Sequence, residues 1–196
     1  MNRFRALYAL LPVLILGLIA FPAAAQTAKP LPETYVSEDE RLTLRYPTGW
    51  IVDNDQQGTV LVATHEDLFD LNDDPVPSGE AAVGIIFLNP GGETFPTELL
   101  DGDDPLSILN RIVGDIFTSD DETELSPPET MFFADHPAAR TDGSVAGNPV
   151  FLILVDNGDK NYSLIVGIAA PGELAKVEPK LLAIAESAHY LPPPNE

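Results

Sequence analysis

The chain has 196 residues, no cysteine, and 31 acidic against 10 basic residues, for a net charge of −21. Without cysteine there is no disulfide support, thiol nucleophile, redox motif or cysteine-ligated zinc. So acidic a body argues against binding nucleic acid, which rests on neutralising phosphates, and it is repelled by anionic lipid surfaces; solubility, a cation-rich habitat or a basic partner each account for the charge.

Residues 1–25 read as a signal peptide. Arg3 and Arg5 form a positive n-region, Leu10 to Phe21 an apolar run broken by Pro12, and Ala23-Ala24-Ala25 the small-residue cleavage pattern, with Gln26 as the new N-terminus. The run is about a dozen residues, short of the roughly 20 that span a bilayer. The expectation is an extracytoplasmic protein, secreted or periplasmic, with no membrane insertion after cleavage. Cleavage leaves 171 residues, keeps all 31 acids and drops the bases to 8, for a net charge of −23. Residues 26–34 read as a flexible lead-in, 35–191 as a single domain large enough to be held by packing alone, and 192–196 as a tail.

Leu42, Leu44 and Tyr46 alternate with Arg41, Thr43 and Arg45, the period of a half-buried strand. Pro47-Thr48-Gly49 turns the chain, Trp50-Ile51-Val52 starts a second strand, and Thr59 to Ala63 makes a third, which together predict an antiparallel meander. Glu66 to Gly79 reads as an acidic loop with at most a helical turn at Asp67-Leu68-Phe69. Ala81 to Leu88 is apolar throughout, as in a strand covered on both faces. Asn89 to Gly102 is again loop.

A helix is expected from Asp103 or Asp104, with Pro105 in its first position and an apolar face of Leu106, Leu109, Ile112, Val113, Ile116 and Phe117. Gly114 would let it pack closely on the sheet. Strands follow at Thr130 to Phe133 and Ala138 to Thr141. The strongest, Val150 to Val155 and Tyr162 to Ala169, are placed mid-sheet and joined by a hairpin turn at Asp156-Asn157-Gly158-Asp159. A closing helix carries Leu174, Val177, Leu181, Ile184, Ala185 and Ala188 on one face; Pro179 predicts either a kink or a start near Glu178. The predicted fold class is α+β, a central, mostly antiparallel β-sheet flanked by helices. Trp50→Ala and Leu109→Ala are expected to cost about 2–5 kcal/mol each, as core truncations.

The order of elements and three phrases resemble the PsbP-like family. These are Leu42-Thr43-Leu44-Arg45-Tyr46-Pro47-Thr48-Gly49-Trp50, Asp135-His136-Pro137-Ala138-Ala139-Arg140, and the Val150 to Ala170 hairpin with its closing helix. The resemblance spans Tyr35 to Leu191. It implies an α/β/α sandwich and a non-enzymatic accessory, assembly or binding role. The basic character useful for docking on a photosystem is missing.

No catalytic, cofactor-binding or metal-binding residue is assigned. His65, His136 and His189 stand far apart and in no metal-ligand spacing. His65 reads as a strand-end surface residue and His136, before Pro137, as part of a turn. Asp142-Gly143-Ser144 reads as a loop without a base, and Gly91-Gly92 belongs to neither a P-loop nor a dinucleotide fingerprint. Asp53 to Gly58 opens like an EF-hand loop, but Thr64 stands at the twelfth place where a bidentate Glu is needed, so a hairpin turn is the stronger reading. Asp70, Asp73 and Asp74, or Asp101, Asp103 and Asp104, are the other acidic groups suited to a hard cation. The expected function is an exported, non-enzymatic protein that contacts a protein partner through the loops Glu66 to Gly79 and Asn89 to Gly102. The alternative is a small-ligand or calcium-binding protein, with weak calcium binding.

Overall fold

The computed structural model describes residues 31–54, 58–69, 75–88, 100, 104–117 and 123–191. In chain order these form β1 (Glu33–Val36), β2 (Leu42–Tyr46), β3 (Ile51–Asn54), β4 (Thr59–Ala63), a 3-10 turn (Glu66–Phe69) and β5 (Ala81–Leu88). Helix α1 (Pro105–Ile112) and a π-helical turn (Val113–Phe117) follow. Then come β6 (Thr123–Leu125), β7 (Glu129–Phe133), β8 (His136–Val145), β9 (Asn148–Gly158), β10 (Asn161–Ala169), α2 (Leu174–Glu186) and β11 (His189–Tyr190). The signal-peptide region and the tail lie outside the described residues, as does most of the predicted loop from Asn89 to Gly102. Among the described residues no helix is long and apolar enough to cross a membrane.

An eight-stranded antiparallel sheet runs in the order β3-β4-β5-β10-β9-β8-β6, with β7 pairing the other half of β8. The two most apolar strands, β9 and β10, are therefore interior, as their composition predicts. Strand alternation sorts their side chains into two cores. Phe151, Ile153 and Val155 join Ile165, Val83 and Ile85 on the face covered by α2, and Leu152, Leu154, Leu164 and Ile168 lie on the face covered by α1. The class is α+β, with a helix on each face of the sheet. A small sheet, β1-β2-β11, lies on the α2 side, where Leu42 and Leu44 are buried in that core.

Helix α1 starts as its sequence dictates. Asp104 Oδ1 accepts the Ser107 N–H at 2.9 Å, and Pro105 occupies the first turn. Its buried face is Pro105, Ile108, Leu109 and Ile112, and Leu106 is only half-buried. The helix passes into the π-helical turn after two turns. Gly114 there is exposed and nothing stands within 4 Å of where its Cβ would lie, so it is not a close-packing glycine. Helix α2 begins at Leu174, not near Glu178, with Pro179 inside. Pro179 and Ala175, whose carbonyl loses its partner, are both exposed, so water can satisfy that carbonyl. Leu181, Ile184 and Ala185 are buried as the periodicity implies.

Several expectations change. Strand β2 does not form a meander with β3. It pairs with β1 and β11 instead, and the turn at Pro47 to Gly49 carries the chain from one sheet to the other; the meander is β3-β4-β5. Strand β1 includes Glu33 and Thr34, inside the span read as a flexible lead-in. Trp50 is half-buried at the edge of the core, with the Lys180 ammonium 5.2 Å from its ring centre, rather than a fully buried anchor. Strand β8 runs straight through Asp142-Gly143-Ser144, which the sequence placed in a loop. Gly143 is needed there because a Cβ would collide with the Glu124 carbonyl oxygen of β6. The β9–β10 turn sits at Asp159 and Lys160, both at positive φ, and not over Asn157-Gly158.

Candidate binding cleft

Helix α2 ends at Glu186. Ser187 ends it, its Oγ donating to the Ile184 carbonyl at 2.7 Å and accepting the Arg45 N–H at 2.9 Å. The chain then turns into β11, whose Tyr190 ring stacks on Phe87 at 4.6 Å between centroids. The apolar end of the sheet beyond α2 forms the floor of a cleft of about 630 Å³. Ile85 and Phe87 of β5, Ile165 of β10 and Val155 of β9, all buried, make that floor, and the two on β5 share a face through the two-residue alternation.

Polar groups stand around this floor. Gly158 pairs with Asn161 while Asp156 pairs with Tyr162, so Asn157 is the extra residue of a bulge. The Asp156 carboxylate fixes the bulge by accepting the Gly158 N–H at 2.8 Å. Asn157 lines the cleft and donates from Nδ2 to Ser163 Oγ at 2.8 Å. Asn161, also on the lining, donates to the Gly158 carbonyl at 3.2 Å. Opposite, the β7–β8 hairpin contributes Phe133, Ala134 and His136; its two-residue turn, Ala134-Asp135, has φ of 47° and 67°. Glu186, His189 and the exposed Leu191 complete the lining. Among the described residues no Lys or Arg lines the cleft.

The structure thus brings together two of the three histidines. His136 is not in a turn; it opens β8, paired with Phe133. His65 remains a surface residue next to the 3-10 turn, its Nδ1 3.2 Å from Asp67 Oδ2. Ser144 lies within β8, with no hydrogen bond to a base among the described residues. In the cleft the buried serine, Ser163, is bonded to an amide rather than to an imidazole. The arrangement can bind, through apolar contact and amide hydrogen bonds, but it holds no nucleophile–base pair.

The acidic candidates divide. Asp104 is the α1 cap, and the N–H and hydroxyl of Ser107 hold its carboxyl below the ordinary range. Asp53 and Asn54 end β3, and β3 and β4 pair as a hairpin around the EF-hand-like stretch, whose residues 55–57 lie outside the described residues. Asp70, Asp73, Asp74, Asp101, Asp103, Gly91 and Gly92 lie outside them too. Among the described residues no three His, Asp or Glu side chains converge. A second, smaller cavity of about 320 Å³ shares Tyr190 with the cleft and is lined by Ser37, Glu38, Asp39 and Asn54. Its Asp39 carboxylate is engaged by the Ser37 hydroxyl at 2.6 Å and the Arg41 N–H at 3.1 Å, which hold it below its ordinary value.

One buried-side ion network ties α2 to the sheet. Arg140 of β8 donates to Glu178 at 2.7 Å and to Asp142 at 2.8 Å, and its guanidinium lies 5.1 Å from the centre of the Phe151 ring. Hydrogen bonding to Asp142 first, against the effect of burial, and then to Glu178 raises its already high pKa. Phe151 in turn lies flat over Gly167, where any Cβ would meet the ring.

No protein-family model and no curated protein matches the sequence. Among solved structures, the chain is similar to the cyanobacterial PsbP (CyanoP) of Synechocystis sp. PCC 6803, with 14% identity, 81% of this chain and 92% of that one covered, and a TM-score of 0.49. It is also similar to LpqN of Mycobacterium tuberculosis, a protein involved in cell envelope biogenesis, with 13% identity, 82% and 90% coverage and a TM-score of 0.48. A third is a protein of unknown function from Pseudomonas aeruginosa, with 14% identity, 83% and 98% coverage and a TM-score of 0.42. At these identities and TM-scores the neighbours' roles remain their own.

Proposed function

We propose that this is an exported, non-enzymatic accessory protein that works by binding a protein partner, and that the cleft beyond the end of α2 is its recognition surface. The observation that carries this reading is the cleft of about 630 Å³ itself: a base of buried apolar side chains, walls of amides and titratable side chains, and no nucleophile–base pair among its described lining residues. Concave sites of this kind, an apolar body with a few placed polar groups, are the usual form of a binding site. The PsbP-like fold supports the same reading only as a scaffold.

A photo-cross-linker placed at Leu191, on the cleft, and separately at Glu124, on the far edge strand β6, tests it in the host. The expected result is one partner captured from Leu191, lost when Asn157→Trp fills the cleft, and absent from Glu124. Equal capture from both positions would sink the assignment of the surface. A melting temperature that rises with millimolar calcium and returns with EDTA would instead favour the cation-binding alternative, since a ligand of the native state alone stabilises it.

A further inference from the structure

We infer that the cleft receives a basic segment of its partner carrying one bulky apolar side chain. The inference rests on the cleft being the recognition surface and adds the chemistry of what enters it. Ile85, Phe87, Val155 and Ile165 at the base are already buried, so the apolar contact open to a guest comes from the half-buried Phe133, Ala188 and Tyr190 and the exposed Leu191, and about 630 Å³ accommodates an aromatic side chain with its neighbours. The amides of Asn157 and Asn161 stand where the backbone of an inserted segment would need donors and acceptors.

Charge decides the rest. Glu186 is on the lining, Asp135 and Asp159 lie on the two turns beside the cleft and Asp156 at the bulge, where it is engaged by the Gly158 N–H, and Lys160 is the one cation on those turns. Of the other described cations, Arg140 is engaged by Asp142 and Glu178, Lys180 lies over Trp50, and Arg41 and Arg45 of β2 meet the cleft's edge through their main chains, at Leu191 and Ser187, with neither in the lining. With a chain charge of −21 behind it, the cleft focuses a negative potential onto an apolar surface, which steers cationic partners in and repels acidic ones. A neutral apolar ligand would leave that rim unmatched.

The test titrates the full chain with three fluorescein-labelled peptides of equal length: a Lys/Arg peptide with a central Trp, the same peptide with Gly for Trp, and a Glu peptide with the Trp. Anisotropy is read at low and at physiological salt. The basic Trp peptide is expected to bind, with about tenfold loss on removing the Trp, as for a hot-spot anchor. Glu186→Lys combined with Asp135→Lys should weaken it about tenfold, while Glu124→Lys combined with Glu129→Lys, an equal change of net charge elsewhere, should cost less than about twofold. Asn157→Trp, at an exposed position and checked by its melting temperature, should abolish binding.

If both basic peptides bind alike and both double variants weaken them equally, the attraction is general to the acidic body and the inference falls. If the Glu peptide binds better, and Asn157→Trp blocks it, the cleft remains a recognition site but its partner is not basic. If no peptide binds and the cross-linker at Leu191 captures nothing specific, both the inference and the functional reading are overturned.

Discussion

The two faces of the large sheet are covered in different ways. On one, α1 lays Ile108, Leu109 and Ile112 fully into the core, and Leu68 and Val76 from the connecting chain close the remaining surface. On the other, α2 covers the sheet from Leu174 to Glu186, and the small sheet β1-β2-β11 lies beside it with Leu42 and Leu44 buried in the same core. The same kind of apolar strand alternation lies beneath both. What differs is the covering layer: on the α2 face the end of the helix, β11 and the β7–β8 hairpin leave a cleft of about 630 Å³ between them, although Ile85, Phe87, Val155 and Ile165 at its base are themselves buried.

The largest expected effect lies on the closed face. Leu109→Ala should cost about 2–5 kcal/mol, the range for truncating a fully buried leucine, measured by urea denaturation. Stability within error of the parent would mean that α1 is not anchored as described. On the α2 face, Gly167→Ala should cost about 1–3 kcal/mol, because the new methyl must displace the Phe151 ring and, with it, Arg140. An unchanged melt there would show that the ring has room to move.

Trp50→Ala is expected to cost less than a core truncation, about 1–2 kcal/mol, since only part of the ring leaves water on folding. A loss as large as that of Leu109→Ala would restore Trp50 as a core anchor. At the cleft itself, Asn157→Ala should move stability by no more than about 0.5–1 kcal/mol, the worth of one hydrogen bond at an exposed position. A larger loss would make the bulge a structural device before a recognition one.

The smallest effects are electrostatic and compare the beginnings of the two helices. Glu173, at the start of α2, accepts from the Ser78 hydroxyl at 2.7 Å and the Gly79 N–H at 2.9 Å, and these bonds lower its pKa from 4.5. Asp104, at the start of α1, is lowered from 3.8 by Ser107. A carboxylate with a depressed folded value contributes stability that is full above its unfolded value and is lost as pH falls through the folded one. Glu173→Gln and Asp104→Asn should therefore lower the melting temperature at neutral pH and leave a shallower decline below about pH 4.5 than the parent shows. Parallel decline in parent and variants would show that neither bond survives in solution.

The elements were largely legible in the sequence because they rest on local periodicity. The two-residue alternation at Leu42 to Tyr46 and the apolar runs of β5, β9 and β10 needed no partner to be read. The cap and proline at Asp104-Pro105 likewise declare themselves. The hairpins were harder. Ala134-Asp135 and Asp159-Lys160 turn the chain at positive φ without glycine at either position, which residue preference alone disfavours; pairing of the strands on each side holds them there. The cleft was not legible at all. Asn157, Glu186 and His189 carry no motif, and a one-residue bulge decides where Asn157 stands.

By itself, then, the sequence determined an acidic, cysteine-free chain, which strands are apolar enough to be central, and which face of α2 is buried, since composition and period act over a few residues, whereas for α1 it found Leu109 and Ile112 but missed Ile108. Tertiary structure decided that β2 leaves the meander for β1 and β11, that Gly143 and Gly167 are forced by neighbours distant in the chain, and that Ser187 and β11 are tied to β2. Those outcomes depend on contacts between segments up to about 140 residues apart, such as Arg45 with Ser187, and no local pattern encodes which of many compatible segments will meet.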